Sequence, residues 1–401
     1  MRPLLIIFAL LCSLPARASI ETLFELIDER LELMDEVAAW KWRHHVAIED
    51  LAREAVVLDS ASGTALNHGL DPSTARTFFA AQIDAAKAIQ AHWFDHYESA
   101  PPRGPVTELA AIRPELLALG DAITKALATT RSLDERDRQA FMSRVSVEGL
   151  PPETAGRIFD ALMGISRYPS RLDQILSTGR LRVGTTGDYA PFSDSADGER
   201  FVGIDIDMAA DLGQSLGVEV DFVQTSWPTL MEDLSAGRYD IAMSGVSRTL
   251  ARQRVGYFSP PYHVGGKTPI ARCEDRQALD SLEEINSENV RVIVNPGGTN
   301  HRFAEANITT AQLMIFEDNR SIFDEIAAGR ADVMITDAIE VRLKAAQIDS
   351  LCATMPGETF TYQEKAYLMP RDEPLSAFVR TWLELRIADG TIARVMDRHL
   401  R

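Results

Sequence analysis

The chain is 401 residues long with a formal net charge of −18, and Asp plus Glu outnumber Lys plus Arg by 59 to 41. That length holds two or three domains, and the composition is that of an ordinary folded protein without low-complexity tracts. The acidic balance argues against nucleic acid and anionic membrane surfaces as partners, and it makes any local cluster of Arg and Lys a candidate anion site.

The first segment lies outside the fold. Arg2 supplies a positive start, Leu4 to Leu14 is mainly apolar, and Ala16-Arg17-Ala18 is a small-x-small cleavage site. This pattern predicts a secretory signal peptide over 1–18, cut before Ser19. The apolar run is too short to span a bilayer, and no later stretch is long and apolar enough to do so. Leu11 is too large for lipoprotein cleavage at Cys12, so a soluble periplasmic product is expected. The mature chain then keeps Cys273 and Cys352. In an oxidising compartment these are a disulfide or two buried thiols, and the sequence leaves both open.

Residues 19–165 are predicted to be all-helical. Apolar residues recur at spacings of three and four from Ile20 to Leu31. Asp71-Pro72 followed by Ser73 and Thr74 opens a second long helix through Gln82, Ile83 and Ile89. Pro101-Pro102-Arg103-Gly104-Pro105 is a loop. More helix is expected from Pro114, with breaks near Ser132 and near Gly149 to Pro152.

The texture changes at Tyr168-Pro169-Ser170, and 166–401 is predicted to be an α/β unit. Leu181 to Thr185 and Val218 to Val223 are expected strands, and Ile206 to Leu216 an expected helix. Leu234-Ser-Ala-Gly-Arg-Tyr-Asp-Ile-Ala-Met243 is echoed by Ile326-Ala-Ala-Gly-Arg-Ala-Asp-Val-Met-Ile335. Each reads as a helix end, a glycine turn and a buried strand. The echo predicts two similar lobes, 170–266 with 363–401 and 267–362, facing a cleft at their strand ends. Chance likeness of two amphipathic units is the alternative.

The helical part carries spaced cations. Arg30 and Lys41 stand eleven residues apart, close to three helical turns, which places them on one face. Asp50, Arg53 and Glu54 follow at i, i+3 and i+4, with Gln90 and Arg113 on later helices. Periodicity alone makes each a solvated helix residue. The ordered series Glu29-Arg30-Leu, Asp35 through Lys41-Trp42-Arg43, Ile48-Glu49-Asp50-x-x-Arg53 and Gln82-Ile83-x-x-x-Lys87-x-Ile89-Gln90 resembles the exported all-helical chorismate mutases. The resemblance covers about residues 20–160. It implies a pericyclic rearrangement of chorismate to prephenate, with Arg30 and Arg113 clamping carboxylates and Arg53 completing a positive wall. Lys41 and Gln90 would then meet the ether oxygen, and Asp50 and Glu54 the hydroxyl. Ala86, where the family often has Ser or Thr, and Val57, where some members have Gln, depart from the pattern.

In the second part, Gly203-Ile-Asp205-Ile-Asp207 and Ser259-x-Pro-Tyr262 resemble amino-acid-type periplasmic solute-binding proteins. Further segments are similar to the cyclohexadienyl dehydratases of that superfamily. They are Arg182 through Asp188-Tyr189-x-Pro-Phe192, Thr225-Ser-Trp227, Met243-Ser244-Gly-Val-Ser247, Gly266-Lys267, Asn295-Pro-Gly-Gly-Thr299-Asn300, Thr336-Asp337-Ala-Ile-Glu340 and Glu364-Lys365-Ala-Tyr367. The resemblance implies a two-lobed type II binding-protein fold. It also implies dehydration and decarboxylation of prephenate to phenylpyruvate, with arogenate, giving phenylalanine, as an open second substrate.

Arg252, on an expected helix after Ser247, suits a carboxylate clamp, and the glycine turn at Asn295 to Asn300 suits an anion. Glu340 is the implied general acid, with Trp227 and Phe323 as the apolar wall that would raise its pKa. Lys267, Asp188, Tyr189, Ser244, Ser247 and Asp337 are expected around the substrate. No metal cluster or nucleotide loop competes, and no cofactor is implied. The rival reading is a solute-binding or sensor protein for an aromatic acid with a helical extension. The sequence leaves monomer and homodimer both open.

Overall fold

The computed structural model describes residues 19–195 and 197–400. The expected signal peptide and Cys12 lie outside them. The chain divides into two compact units between Tyr168 and Pro169. Asp71 N–H donates to the Ser166 carbonyl at 2.9 Å and Tyr168 N–H to the Gly69 carbonyl at 3.0 Å. Residues 166–168 therefore belong with the helices, three positions beyond the boundary expected from sequence.

The helical unit contains α1 (Ile20–Glu32), α2 (Met34–Arg43), α3 (Leu51–Asn67), α4 (Pro72–Ser99), α5 (Leu109–Thr129), α6 (Arg138–Arg144) and α7 (Pro152–Met163). Asp71 caps α4, accepting from Ser73 N–H and Thr74 N–H, and Pro72 occupies the first turn, where its missing N–H costs nothing. The expected single helix through Arg30 and Lys41 is interrupted at Leu33. The third long helix starts at Leu109 and carries Pro114 inside it, not at its start. Leu23, Phe24, Ile27, Phe78, Ile89 and Phe159 are at most 2% exposed and form the core. Each such side chain contributes about 1.5–3 kcal/mol of burial.

The second unit is built on β1 (Arg180–Thr185), β2 (Asp188–Tyr189), β3 (Ser193–Asp194), β4 (Glu219–Gln224), β5 (Ile241–Ala242), β6 (Tyr257–Phe258) and β7 (His263–Gly265). Then follow β8 (Lys267–Arg272), β9 (Arg291–Val294), β10 (Gln312–Ile315), β11 (Val333–Asp337), β12 (Leu351–Ala353), β13 (Gln363–Lys365) and β14 (Leu368–Met369). One sheet runs β4-β1-β5-β14-β6 and the other β10-β9-β11-β8-β12. In each, four strands run in the same direction and one, β14 or β8, runs against them. The chain passes between sheets twice, and the antiparallel β7–β13 pair lies at these crossings.

The repeated segments occupy matching places. Gly237 and Gly329 both adopt positive φ, 67° and 72°, ending a short helix before β5 and β11. A disulfide joins Cys273, just after β8, to Cys352 in β12. No helix among the described residues is long and apolar enough to cross a membrane.

Candidate active sites

The helical unit encloses a cavity of about 160 Å³. α1 contributes Arg30, α2 Lys41, the start of α3 Asp50, Arg53 and Glu54, α4 Gln90, and α5 Arg113. All seven residues expected from sequence are thus brought to one cavity, whose apolar lining includes Val37, Val57, Ile83 and Leu116. The break at Leu33 keeps Arg30 and Lys41 on the same side although they sit on different helices.

Arg30 is 7% exposed. Its Nη1 donates to Gln82 Oε1 at 3.3 Å, its Nε has no partner, and no carboxylate among the described residues pairs with it. Burial pulls its pKa down to about 10, so it stays charged at neutral pH. An isolated buried charge costs several kcal/mol, and an anion in the cavity removes that cost. Lys41 Nζ donates to the Ile48 carbonyl at 2.6 Å. Burial lowers its pKa, while Asp50 and Glu54 oppose the shift and Arg113 adds to it.

Asp50 does not sit mid-helix. It caps α3, accepting from Arg53 N–H at 3.0 Å, so Arg53 and Glu54 lie in the first turn. Gln90 Nε2 donates to Ala86 O within its own helix at 3.1 Å, and its buried Oε1 has no partner. Lys87 also lines the cavity and pairs with Glu54 at 3.2 Å. Sequence reasoning quoted Lys87 but gave it no role. Its place three residues before Gln90 and four after Ile83 was the available signal.

In the second unit, Tyr189, Trp227 and Ser247 from one lobe face Asn295, Thr299, Asn300 and Asp337 from the other, with Lys365 of β13 between. The lobes touch. Tyr189 Oη donates to Asp337 Oδ2, and Asn319 Nδ2 donates to the Asp188 carbonyl at 2.8 Å. Gly297, at φ 81°, lies so close to Pro228 that a Cβ there would stand 2.6 Å from the Pro228 nitrogen. The space left is about 20 Å³, which defines a closed cleft.

Asp337 ends β11 between two ammonium groups. Lys267 Nζ lies 2.9 Å from Oδ1 and Lys365 Nζ 2.7 Å from Oδ2. Burial pushes the Asp337 carboxyl up, but the two lysines override it and hold it well below the usual carboxylate range. Lys267 is fully buried, also donates to Asn300 Oδ1, and is lowered by burial to about 8. Lys365 also donates to Ser247 Oγ at 3.0 Å and stands 5.0 Å over the Tyr189 ring. Sequence reasoning quoted it within a motif but gave it no role, because a lysine on a connecting strand carries no periodicity.

Glu340 lies in the first turn of the helix Ala338–Gln347 and is 1% exposed. Burial raises its pKa to about 7; a hydrogen bond from Thr336 opposes the shift and the Asp337 charge adds to it. Thr336 Oγ1 donates to Glu340 Oε2 at 2.5 Å and accepts from Asn300 Nδ2 at 2.9 Å, which links the acid to the cleft. Glu340 also lines a separate cavity of about 140 Å³ with Asp188, Asn319 and Lys344.

Several expected positions are corrected. Ser244 is fully buried and bonds Thr186 N–H at 3.1 Å, so it braces the loop after β1 and does not face the cleft. Phe323 packs in a core cluster with Ile322, Ile326 and Met334 and does not line the cleft, because it points inward from its helix. Lys344 Nζ stands 5.1 Å over its ring. Arg252 lies behind Ser247, donating to its carbonyl at 2.9 Å, and Lys267 lies behind Asp337, so neither lines the closed cleft. Asp188 accepts from Trp227 Nε1 at 3.1 Å and faces the Glu340 cavity. Among the described residues no group of carboxylate, His or Cys side chains is arranged to hold a metal ion.

Residues 181–401 match the model of the bacterial extracellular solute-binding proteins, family 3, and residues 21–91 match chorismate mutase type II. The chain is 48% identical over 240 residues to a cyclohexadienyl dehydratase of Pseudomonas aeruginosa, covering 60% of this chain and 90% of that protein. It is 31% identical over 153 residues to a monofunctional chorismate mutase of Enterobacter agglomerans, covering 37% of this chain and 84% of that one. Among solved structures, the ancestral amino acid-binding protein AncCDT-1, a precursor of cyclohexadienyl dehydratase, aligns with a TM-score of 0.54 and 33% identity, covering 58% of this chain and all of that one.

Proposed function

The chain belongs to family 3 of the bacterial extracellular solute-binding proteins and, in its helical part, to the chorismate mutases, and from that premise we propose one polypeptide with two consecutive activities. The helical unit converts chorismate to prephenate. The two-lobed unit converts prephenate to phenylpyruvate, carbon dioxide and water. The 1–18 segment directs the chain to the periplasm.

The rearrangement needs no covalent step, only positioning and charge complementarity. Arg30 and Arg113 hold the two carboxylates, and Arg53 adds positive charge. Lys41 stabilises the negative charge that develops on the ether oxygen. Gln90 joins it once its amide leaves the Ala86 carbonyl. Asp50 and Glu54 receive the hydroxyl.

The dehydration needs a carboxylic acid that is protonated near neutral pH. Glu340 has that property and stands beside the cleft wall, joined to Asn300 by the Thr336 hydroxyl that donates to it. Lys365 and the Asn295–Asn300 turn receive the substrate carboxylates. The closed cleft is far smaller than a usual ligand pocket, so the lobes part to admit substrate.

The observation that carries the reading is the buried Glu340 acid beside the cleft, since binding alone gives no reason to bury it there. Chorismate added to the purified protein tests it. Loss of chorismate with appearance of phenylpyruvate is expected. Tight binding of prephenate with no carbon dioxide released would support a binding or sensor protein instead.

A further inference from the structure

Resting on the dehydratase reading, the reaction consumes one proton per turnover. Prephenate dianion and protonated Glu340 yield phenylpyruvate monoanion, carbon dioxide, water and the Glu340 carboxylate. The ring C–O bond and the bond to the ring carboxylate break. The electron pair of the latter enters the ring as it becomes aromatic, and the Glu340 proton leaves in the water formed. The carboxylate must then regain a proton from solvent. Glu340 is only 1% exposed, and the closed lobes shield its cleft side.

The 140 Å³ cavity that Glu340 lines is distinct from the cleft, and Asn319 is the residue common to both. Apart from Ala190, its lining is polar or charged: Asp188, Asp194, Asn319, Arg320 and Lys344 with Glu340 itself. Asp194 and Arg320 form an ion pair at 3.4 Å with both side chains 42% exposed, which marks the solvent end. At the buried end stand Glu340 and Asp188. Asn319 is 4% exposed and its Oδ1 has no partner in the protein, an acceptor that water here would satisfy. The volume has room for roughly four or five waters at about 30 Å³ each.

We propose that this cavity is the proton inlet of the dehydratase, a water-filled passage from the Asp194–Arg320 mouth to Glu340 that restores the acid after each turnover. Carboxyl groups and water in such a passage exchange protons readily, and its polar walls keep it wet. Product water has the same way out.

Plugging the passage tests this. Asp194→Leu places an apolar side chain at the mouth, Asp194→Asn keeps the mouth polar, and Ala190→Leu fills the interior. Prephenate is mixed with each full-length protein, and phenylpyruvate is followed by rapid quench and then in the steady state. With Asp194→Leu and Ala190→Leu the first turnover should keep its wild-type rate. The steady-state rate should fall by about tenfold or more, with a burst near one product per site. The slowing in heavy water should grow, and Asp194→Asn should behave as wild type. A first turnover that slows together with the steady state would make the cavity part of the substrate site and overturn the proposal. Unchanged steady-state rates in both plugged proteins would overturn it too. Should Ala190→Leu fail to fold, the exposed Asp194 pair decides. A wild type that forms no phenylpyruvate would instead remove the dehydratase reading.

Discussion

Glu340→Gln separates the chemistry of the acid from its shape. The amide keeps an oxygen to accept from Thr336 but has no transferable proton. Dehydratase turnover should fall by about 100-fold or more, with prephenate still bound. In the wild type the acid titrates at about 7. It is therefore about nine-tenths protonated at pH 6 and about one-tenth at pH 8. Turnover should fall about tenfold per pH unit above 7, and that limb should be absent from the residual rate of the variant. Stability moves in the same sense. Folding raises this group from its ordinary 4.5 to about 7, so its contribution is complete below 4.5 and is lost as pH rises through 7. At pH 9 the folded wild type carries a penalty of about 3 kcal/mol that the glutamine lacks. Urea unfolding at pH 5 and pH 9 should show the variant gaining at pH 9 only. A wild-type dehydration rate that stays flat from pH 6 to 8.5, or a variant that keeps the wild-type rate, would refute the assignment.

Other perturbations address the remaining claims. Lys41→Ala should cost the mutase roughly 100-fold in kcat, while added prephenate is dehydrated at the normal rate; near-normal mutase turnover in the folded variant would refute the role of Lys41. Arg30→Met should abolish mutase activity yet leave the thermal midpoint of the helical unit unchanged or raised, because it removes a buried cation without a carboxylate partner. A strongly lowered midpoint would make that charge structural. Residues 19–168 and 169–401 expressed separately should respectively form prephenate and consume it, and a folded but inert half would show that the sites depend on one another.

The helical cavity was more legible in the sequence than the cleft, and the ordered series that resembles the chorismate mutases is the reason. Arg30, Lys41, Arg53, Glu54 and Gln90 lie on four helices, and periodicity alone gave each only a solvated face. The series placed them at one site, and even the break at Leu33 did not undo that placement. The cleft collects side chains from strand ends, turns and a connecting strand, where no period applies. Motif positions put Glu340, Asp337 and the Asn295 turn in the right neighbourhood. They did not reveal that Lys365 lines the cleft, that Ser244 and Phe323 face away from it, or that Arg252 and Lys267 stand one layer behind. Those facts depend on packing within each lobe between residues distant in the chain, which local sequence does not encode. The late boundary at Tyr168 has a similar cause, since Ser166 and Tyr168 are held by backbone hydrogen bonds to residues almost a hundred positions earlier.

The two sites meet opposite electrostatic demands with similar residues. A pericyclic shift moves no proton, so the mutase gains from a permanently charged, uncompensated guanidinium, which Arg30 supplies. A dehydratase must hold anionic carboxylates with cations while keeping an acid protonated nearby, and those cations by themselves would strip the proton. Asp337 resolves the conflict. It takes up both Lys267 and Lys365, so the net charge of that trio facing Glu340 is one positive unit, not two. Its own carboxylate also pushes Glu340 upward, against the smaller opposing pulls of Lys344 and Lys267. Burial does most to keep Glu340 an acid and the ionised Asp337 adds to it, although Asp337 itself has no free oxygen for substrate while the cleft is closed.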